Sequence, residues 1–157
     1  MIVKDIMNTA VKTATTDTQI KDIASIMCLN KISGVPVIDS NNKLCGVLSE
    51  KDILRAMFPD VAQIMQEGAK PDFESIEADY KGVLGKKVGD LMTQTVASVT
   101  PDMPLLKAAS MMCIKQIRRI PVTDADGTLV GIISIGDVHK AIFQENLLSN
   151  NSSDQAA

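Results

Sequence analysis

The sequence predicts an α/β (α+β) fold built from two β-α-β-β-α repeats packed with pseudo-two-fold symmetry. Three observations predict it. Shifting the chain by 85 positions lays Val3–Ala56 on Val88–Ala141 without a gap, with identical pairs such as Asp5/Asp90, Met7/Met92, Ala24/Ala109, Pro36/Pro121, Gly46/Gly131, Ser49/Ser134 and Asp52/Asp137. Within each copy a helix-period apolar stripe precedes two short aliphatic runs and a second helical stretch. Each copy has only about 55 residues, near the size at which a domain struggles to bury a core alone, so the two are expected to share one core.

The elements follow in order. Ala10–Thr13 and Thr95–Ser98 read as a short first strand. Asp17 and Asp102 then precede the helical stripes Ile20, Ile23, Ala24, Met27 and Leu105, Ala108, Ala109, Met112. Pro101 and Pro104 suit the start of the second of these helices, where a missing N–H costs nothing. Val35-Pro36-Val37-Ile38 and Ile120-Pro121-Val122 are strands that proline confines to an edge or a strand start. Ser40-Asn41-Asn42 and Ala125-Asp126-Gly127 are turns, Asp-Gly being a strong hairpin signal. Leu44–Leu48 and Leu129–Ile133 return, and helices follow from Ile53 and Val138. The expected organisation is a first repeat at 1–57, a linker of two short helices at 58–87, a second repeat at 88–145 and a disordered Ser/Asn-rich tail at 146–157. The linker helices rest on Val61, Ile64, Met65 and on Phe73, Ile76, Tyr80, with breaks at Gly68 and Pro71.

Composition narrows the function classes. The net charge of −3 argues against nucleic acid as the main partner, since phosphate neutralisation needs a basic face. Three phenylalanines and one tyrosine, none in a strand, give no base-stacking platform. No C-x-x-C pair is present, and the single histidine, His139, has no partner at ligand spacing, so no metal site is expected. Cys28 and Cys113 occupy equivalent helix positions and are expected on buried faces; with no nearby histidine base, catalysis is not expected. The N-terminus lacks an apolar signal run, no segment is long and apolar enough to span a bilayer, and a cytoplasmic protein is the simple expectation.

One constellation carries chemistry in both copies. Gly46-Val47-Leu48-Ser49-Glu50-Lys51-Asp52 matches Gly131-Ile132-Ile133-Ser134-Ile135-Gly136-Asp137 where a strand passes into a helix. Two readings stand side by side. Ser with an acidic residue three positions on is a capping box, although Asp is shorter than the usual Glu or Gln and fits it less well. Alternatively the Ser hydroxyl and free N–H groups take a phosphate while the carboxylate accepts hydrogen bonds from ribose hydroxyls. The strand glycine marks either a bulge or the close approach of a backbone or ligand. A second element is Arg118-Arg119 before the second proline strand, either a phosphate clamp or a solvated pair; the first copy has Ser33 and Gly34 there.

These residues resemble a tandem pair of CBS (cystathionine β-synthase) domains, a Bateman module. The marks are Asp5-Ile6-Met7 and Asp90-Leu91-Met92, the Gly34-Val35-Pro36-Val37 and Arg119-Ile120-Pro121-Val122 strands, and the two Gly-x-x-Ser-x-x-Asp segments. The chain is expected to be a stand-alone module. The resemblance implies binding of AMP, ADP, ATP or an S-adenosyl compound as a regulatory ligand, in two clefts each drawing on both copies. One would place Asp52 on the ribose and Ser49 at the phosphate, walled by Val96, Ala97, Arg118, Arg119 and Ile120. The other would place Asp137 and Ser134 opposite Lys12, Thr13, Ser33, Gly34 and Val35. The paired arginines would make the Asp52 cleft the tighter. The implied role is a non-enzymatic energy or metabolite sensor, a homodimer, acting on an effector protein that the sequence does not name. A ligand-free interaction or scaffolding module is the alternative, and nucleic-acid binding the third.

Overall fold

The computed structural model describes residues 1–58 and 72–153. It divides into two compact units, Lys12–Val96 and Met1–Val11 with Ala97–Ala157.

In the Lys12–Val96 unit, α1 (Ile20–Asn30) buries Ile20, Ile23 and Met27, the stripe expected from its spacing. It stops without glycine: Lys31 adopts φ 53° and the N–H of Ile32 returns to the Met27 carbonyl at 3.0 Å, which satisfies carbonyls left open at the helix end. β1 (Gly34–Ile38) and β2 (Leu44–Ser49) pair antiparallel, with the register slipping between Val37 and Ile38. Pro36 sits mid-strand because nothing there needs its N–H. Its partner Val47 turns both polar groups away, to Thr93 at 3.0 and 2.9 Å, and the Pro36 carbonyl takes the N–H of Ala14 at 3.0 Å.

α2 (Glu50–Met57) starts at Ser49 and buries Ile53. Among the described residues three short helices follow in this unit: α3 (Phe73–Ala78), α4 (Tyr80–Leu84) and α5 (Val88–Leu91). The expected linker helix around Phe73, Ile76 and Tyr80 is thus present as two short pieces; the one expected at Val61, Ile64 and Met65 lies outside the described residues.

The other unit repeats the plan. A 3-10 turn at Val3–Asp5 leads in, α6 (Leu105–Lys115) buries Leu105, Ala108 and Met112, and Gln116 ends it at φ 55° as Lys31 ends α1. β3 (Arg119–Thr123) pairs antiparallel with β4 (Leu129–Ser134) across a turn in which Gly127 has φ 82°. The Asp124 carboxylate braces that turn, accepting from the N–H groups of Asp126 and Thr128, both at 2.9 Å.

Four expectations are corrected. The cores are two and not one: Ile20, Ile23, Val35, Val37 and Leu48 pack in one cluster, and Val3, Leu105, Met112, Ile120 and Ile133 in another. The first strands at Ala10–Thr13 and Thr95–Ser98 reduce to single parallel bridges, Ala14 to Val37 and Val99 to Val122, because too few backbone groups face β1 or β3. Of the tail expected at 146–157, residues 146–153 are helical, in α7 (Ile135–Ser153), with Asn146 and Ser149 bonding back to the Ile142 and Glu145 carbonyls, and 154–157 lie outside the described residues. Cys28 and Cys113 are exposed, one position past the buried Met27 and Met112, where the helix has rotated off its apolar stripe.

Repeat and unit do not coincide. Met1–Val11, the head of the first repeat, belongs to the unit of the second hairpin, while Lys86–Thr93 packs on the first hairpin. Asn8 and Ile132 exchange both backbone bonds at 2.9 Å, as Thr93 and Val47 do. The N–H groups of Val3 and Lys4 reach the carbonyls of Met103 and Pro101, each at 2.9 Å.

Candidate functional site

Each hairpin ends at a helix N-terminus, and each N-terminus carries the Ser–Asp pair. In the Lys12–Val96 unit the Ser49 N–H and Oγ–H donate to Asp52 Oδ2 at 2.9 and 3.0 Å, and the Asp52 N–H returns to Ser49 Oγ at 3.3 Å. In the other, the Ser134 N–H and Oγ–H donate to Asp137 Oδ2 at 3.1 and 2.6 Å, and the Asp137 N–H returns to Ser134 Oγ at 3.0 Å. Both are closed capping boxes. The expectation that Asp fits one less well is therefore corrected: the extended N-cap backbone, φ −119° at Ser49, brings its own N–H within reach of a short carboxylate.

A closed box uses one carboxylate oxygen and leaves the other. The two units treat that second oxygen differently. Asp52 Oδ1 accepts the Thr93 hydroxyl at 3.2 Å, and Arg55 stands 4.0 Å away. The Asp52 side chain is 9% exposed. Asp137 is exposed, and its Oδ1 has no partner among the described residues. The residue 85 positions before Thr93 is Asn8, whose side-chain oxygen is turned to the Ala10 N–H at 2.9 Å.

The pre-strand residues lie beside these caps. The Ser33 carbonyl takes the Glu50 N–H at 2.9 Å, and the Arg118 carbonyl takes the Ile135 N–H at 2.8 Å. Gly34 is opposite Ser49 in the ladder, and Arg119 opposite Ser134. Within single units, Ser33, Gly34 and Val35 therefore accompany Ser49 and Asp52, while Arg118, Arg119 and Ile120 accompany Ser134 and Asp137. Arg118 is exposed and Arg119 half-buried, and neither forms an ion pair among the described residues. Lys12 and Thr13 precede the Ala14 bridge in one unit; Val96 closes that unit, and Ala97 opens the stretch leading to the Val99 bridge in the other. Thr93 is the residue that sequence reasoning missed. Its one sequence signal was the asymmetric pair Asn8/Thr93 directly after the repeated methionines.

The strand glycines serve the backbone. A Cβ at Gly46 would stand 2.8 Å from Met92 Sδ and 3.0 Å from the Thr93 carbonyl oxygen; at Gly131, 2.8 Å from Met7 Sδ and 3.1 Å from the Asn8 carbonyl oxygen. The repeated Asp-x-Met segments thus lie against these glycines, and the register slips right beside them, Val37–Gly46 giving way to Ile38–Leu44 and Val122–Gly131 to Thr123–Leu129, so the glycines serve both a bulge and the close approach of a backbone.

Cys45 is half-buried. Burial, then the nearby Asp39 carboxylate, raises its thiol pKa, which disfavours the nucleophilic thiolate. Among the described residues no group of His, Cys, Asp and Glu is arranged to hold a metal, and no helix is long and apolar enough to cross a membrane.

Two capped Ser–Asp pairs, one on each β-β-α unit, define a duplicated architecture, and comparison with known proteins places it. The CBS domain profile matches residues 3–59 and again 88–144, so the chain belongs to the CBS domain family as a tandem pair. It is 33% identical over 155 residues to the uncharacterized protein MJ1426 of Methanocaldococcus jannaschii, covering 91% of this chain and 92% of that one. It is 33% identical over 147 residues to the chloroplastic CBS domain-containing protein CBSX2 of Arabidopsis thaliana, covering 86% of this chain and 60% of that protein's length. A crystal structure of CBSX2 in complex with AMP matches with a TM-score of 0.71 at 33% identity, over 92% of this chain and 98% of that one.

Proposed function

We propose that this chain is a regulatory module that binds an adenosine ligand (AMP, ADP, ATP or an S-adenosyl compound) and alters the activity of an effector protein. The observation that carries the reading is the divided use of the Asp137 carboxylate: Oδ2 closes the helix cap, while Oδ1, on an exposed residue, has no partner among the described residues. A ribose hydroxyl would donate to that oxygen. Ser134 and the helix N-terminus would face the phosphate, and the charge of Arg119 would favour an anionic ligand there. Asp52 and Ser49 would play the same parts in the other unit. The AMP complex of CBSX2 supports the ligand class.

The assembly we propose is a homodimer. Leu29 and Ile114, equivalent in the two repeats, are 83% and 81% exposed, and the equivalent Phe58 and Phe143 are exposed as well. A second copy would cover such repeated apolar positions on α1, α6 and α7 and at the end of α2.

A ligand-free scaffolding role is the second reading, favoured by the closure of both caps, which shows each carboxylate already in structural use. Thermal unfolding in AMP, ATP and S-adenosylmethionine separates the two. A ligand at one hundred times its Kd stabilises a protein by about 2.7 kcal/mol, a shift of several degrees. No shift with any of the three supports the scaffold.

A further inference from the structure

We infer that Thr93 is an affinity-setting residue, a built-in competitor that holds Asp52 Oδ1 where a ribose hydroxyl would bind and so makes the Asp137 unit the first to fill. The inference rests on the adenosine-binding reading above.

The argument is a contrast between two otherwise matched sites. Both carboxylates close the same cap through Oδ2. Both lie beside an arm carried on the equivalent strand residue, Thr93 on Val47 and Asn8 on Ile132. The side chain on that arm differs. Thr93 donates its hydroxyl to Asp52 Oδ1 at 3.2 Å, whereas the Asn8 amide oxygen turns to the Ala10 N–H and leaves Asp137 alone. A ligand hydroxyl arriving at Asp52 must displace or share with an existing donor; one arriving at Asp137 meets a free acceptor. The exchange lowers the net gain of the new bond, which for an unopposed hydrogen bond to a carboxylate is large. The residue opposite each cap acts in the same direction, Arg119 beside Asp137 and Gly34 beside Asp52, while Arg55, largely exposed, stands 4.0 Å from the same Asp52 Oδ1 that Thr93 holds. The inferred order is the reverse of the ranking expected from sequence, in which the paired arginines serve Asp52.

The test is calorimetric titration of the full chain with AMP. In an Asp137→Asn background, which isolates the Asp52 site, Thr93→Val should tighten AMP binding roughly three- to ten-fold by removing the competing donor while keeping the side-chain shape. Thr93→Ser, which keeps the hydroxyl, should retain the affinity of the background protein. The gain should vanish when Asp52→Asn is added, a dependence that a purely structural role for Thr93 would not produce. Asn8→Thr in an Asp52→Asn background should weaken AMP binding by a similar factor. Unchanged or weaker binding on Thr93→Val, or a gain that survives Asp52→Asn, overturns the inference while leaving adenosine binding intact. A wild-type chain that takes up no AMP, or one indifferent to both aspartate substitutions, removes the parent reading and this inference with it.

Discussion

Arg119 stands directly across the β3–β4 ladder from Ser134. Opposed residues of an antiparallel pair share a face, so the guanidinium rises on the side of the hairpin that carries the Ser134–Asp137 cap. The matching pair in the other unit is Gly34 and Ser49, which brings no charge. The two repeats therefore present the same carboxylate in unlike electrostatic settings.

That difference predicts a charge-dependent phenotype. Arg119→Ala should weaken ATP and AMP binding about ten-fold or more, the loss of a charged hydrogen bond being worth about 1.5–3 kcal/mol. Adenosine should be little affected. Titration of the three ligands at two salt concentrations checks it; equal losses for all three would place the arginine away from the phosphate.

The glycines beneath the arms predict a stability effect. Gly46→Ala and Gly131→Ala each drive a methyl against a methionine sulfur and a backbone carbonyl oxygen. The sulfur can swing away and the carbonyl cannot, because Thr93 and Asn8 are held by two backbone bonds each. Each substitution should cost about 1–3 kcal/mol as overpacking does, measured by urea denaturation. Met92→Ala should rescue Gly46→Ala only in part.

The exchanged arm predicts a one-sided response. Val3 is fully buried in the core with Leu105 and Met112. Val3→Ala should destabilise by about 1–3 kcal/mol through lost burial and an unfilled cavity. Hydrogen exchange should then quicken at the Ile132 amide, which bonds Asn8, and stay slow at the Val47 amide, which bonds Thr93. Equal loss of protection at both amides would contradict two separately cored units.

The exposed apolar positions predict the oligomeric state. Ile114→Glu places a charge at a position 81% exposed in a single chain, so the fold itself should tolerate it. Light scattering should report a dimer for the wild type and a monomer for this variant, with far-UV circular dichroism unchanged. A monomeric wild type would leave that face without its proposed partner.

Much of this was legible because duplication reports each feature twice. The Ile20–Ile23–Met27 and Leu105–Ala108–Met112 stripes, the proline strands and the Asp-Gly turn carry local rules that tertiary context did not override. The Ser–Asp pairs were legible as residues and only half legible as geometry, since sequence could not show that one carboxylate caps with one oxygen and keeps the other. The arm exchange was not legible, because an 85-residue repeat does not say which hairpin each head segment joins. Nor were the helix ends at Lys31 and Gln116, where satisfied carbonyls and the burial that follows at Ile32 and Ile117 hold non-glycine residues at positive φ. Cys28 and Cys113 were misplaced by one helical step, which is enough to turn a side chain from core to surface.

The account turns on the divided carboxylate, and a crystal structure of the chain with AMP tests that most directly. The predicted result is a ribose hydroxyl within about 2.6–3.0 Å of Asp137 Oδ1 while Oδ2 remains on the Ser134 N–H. AMP bound with its ribose hydroxyls turned away from both Asp137 and Asp52 would contradict it.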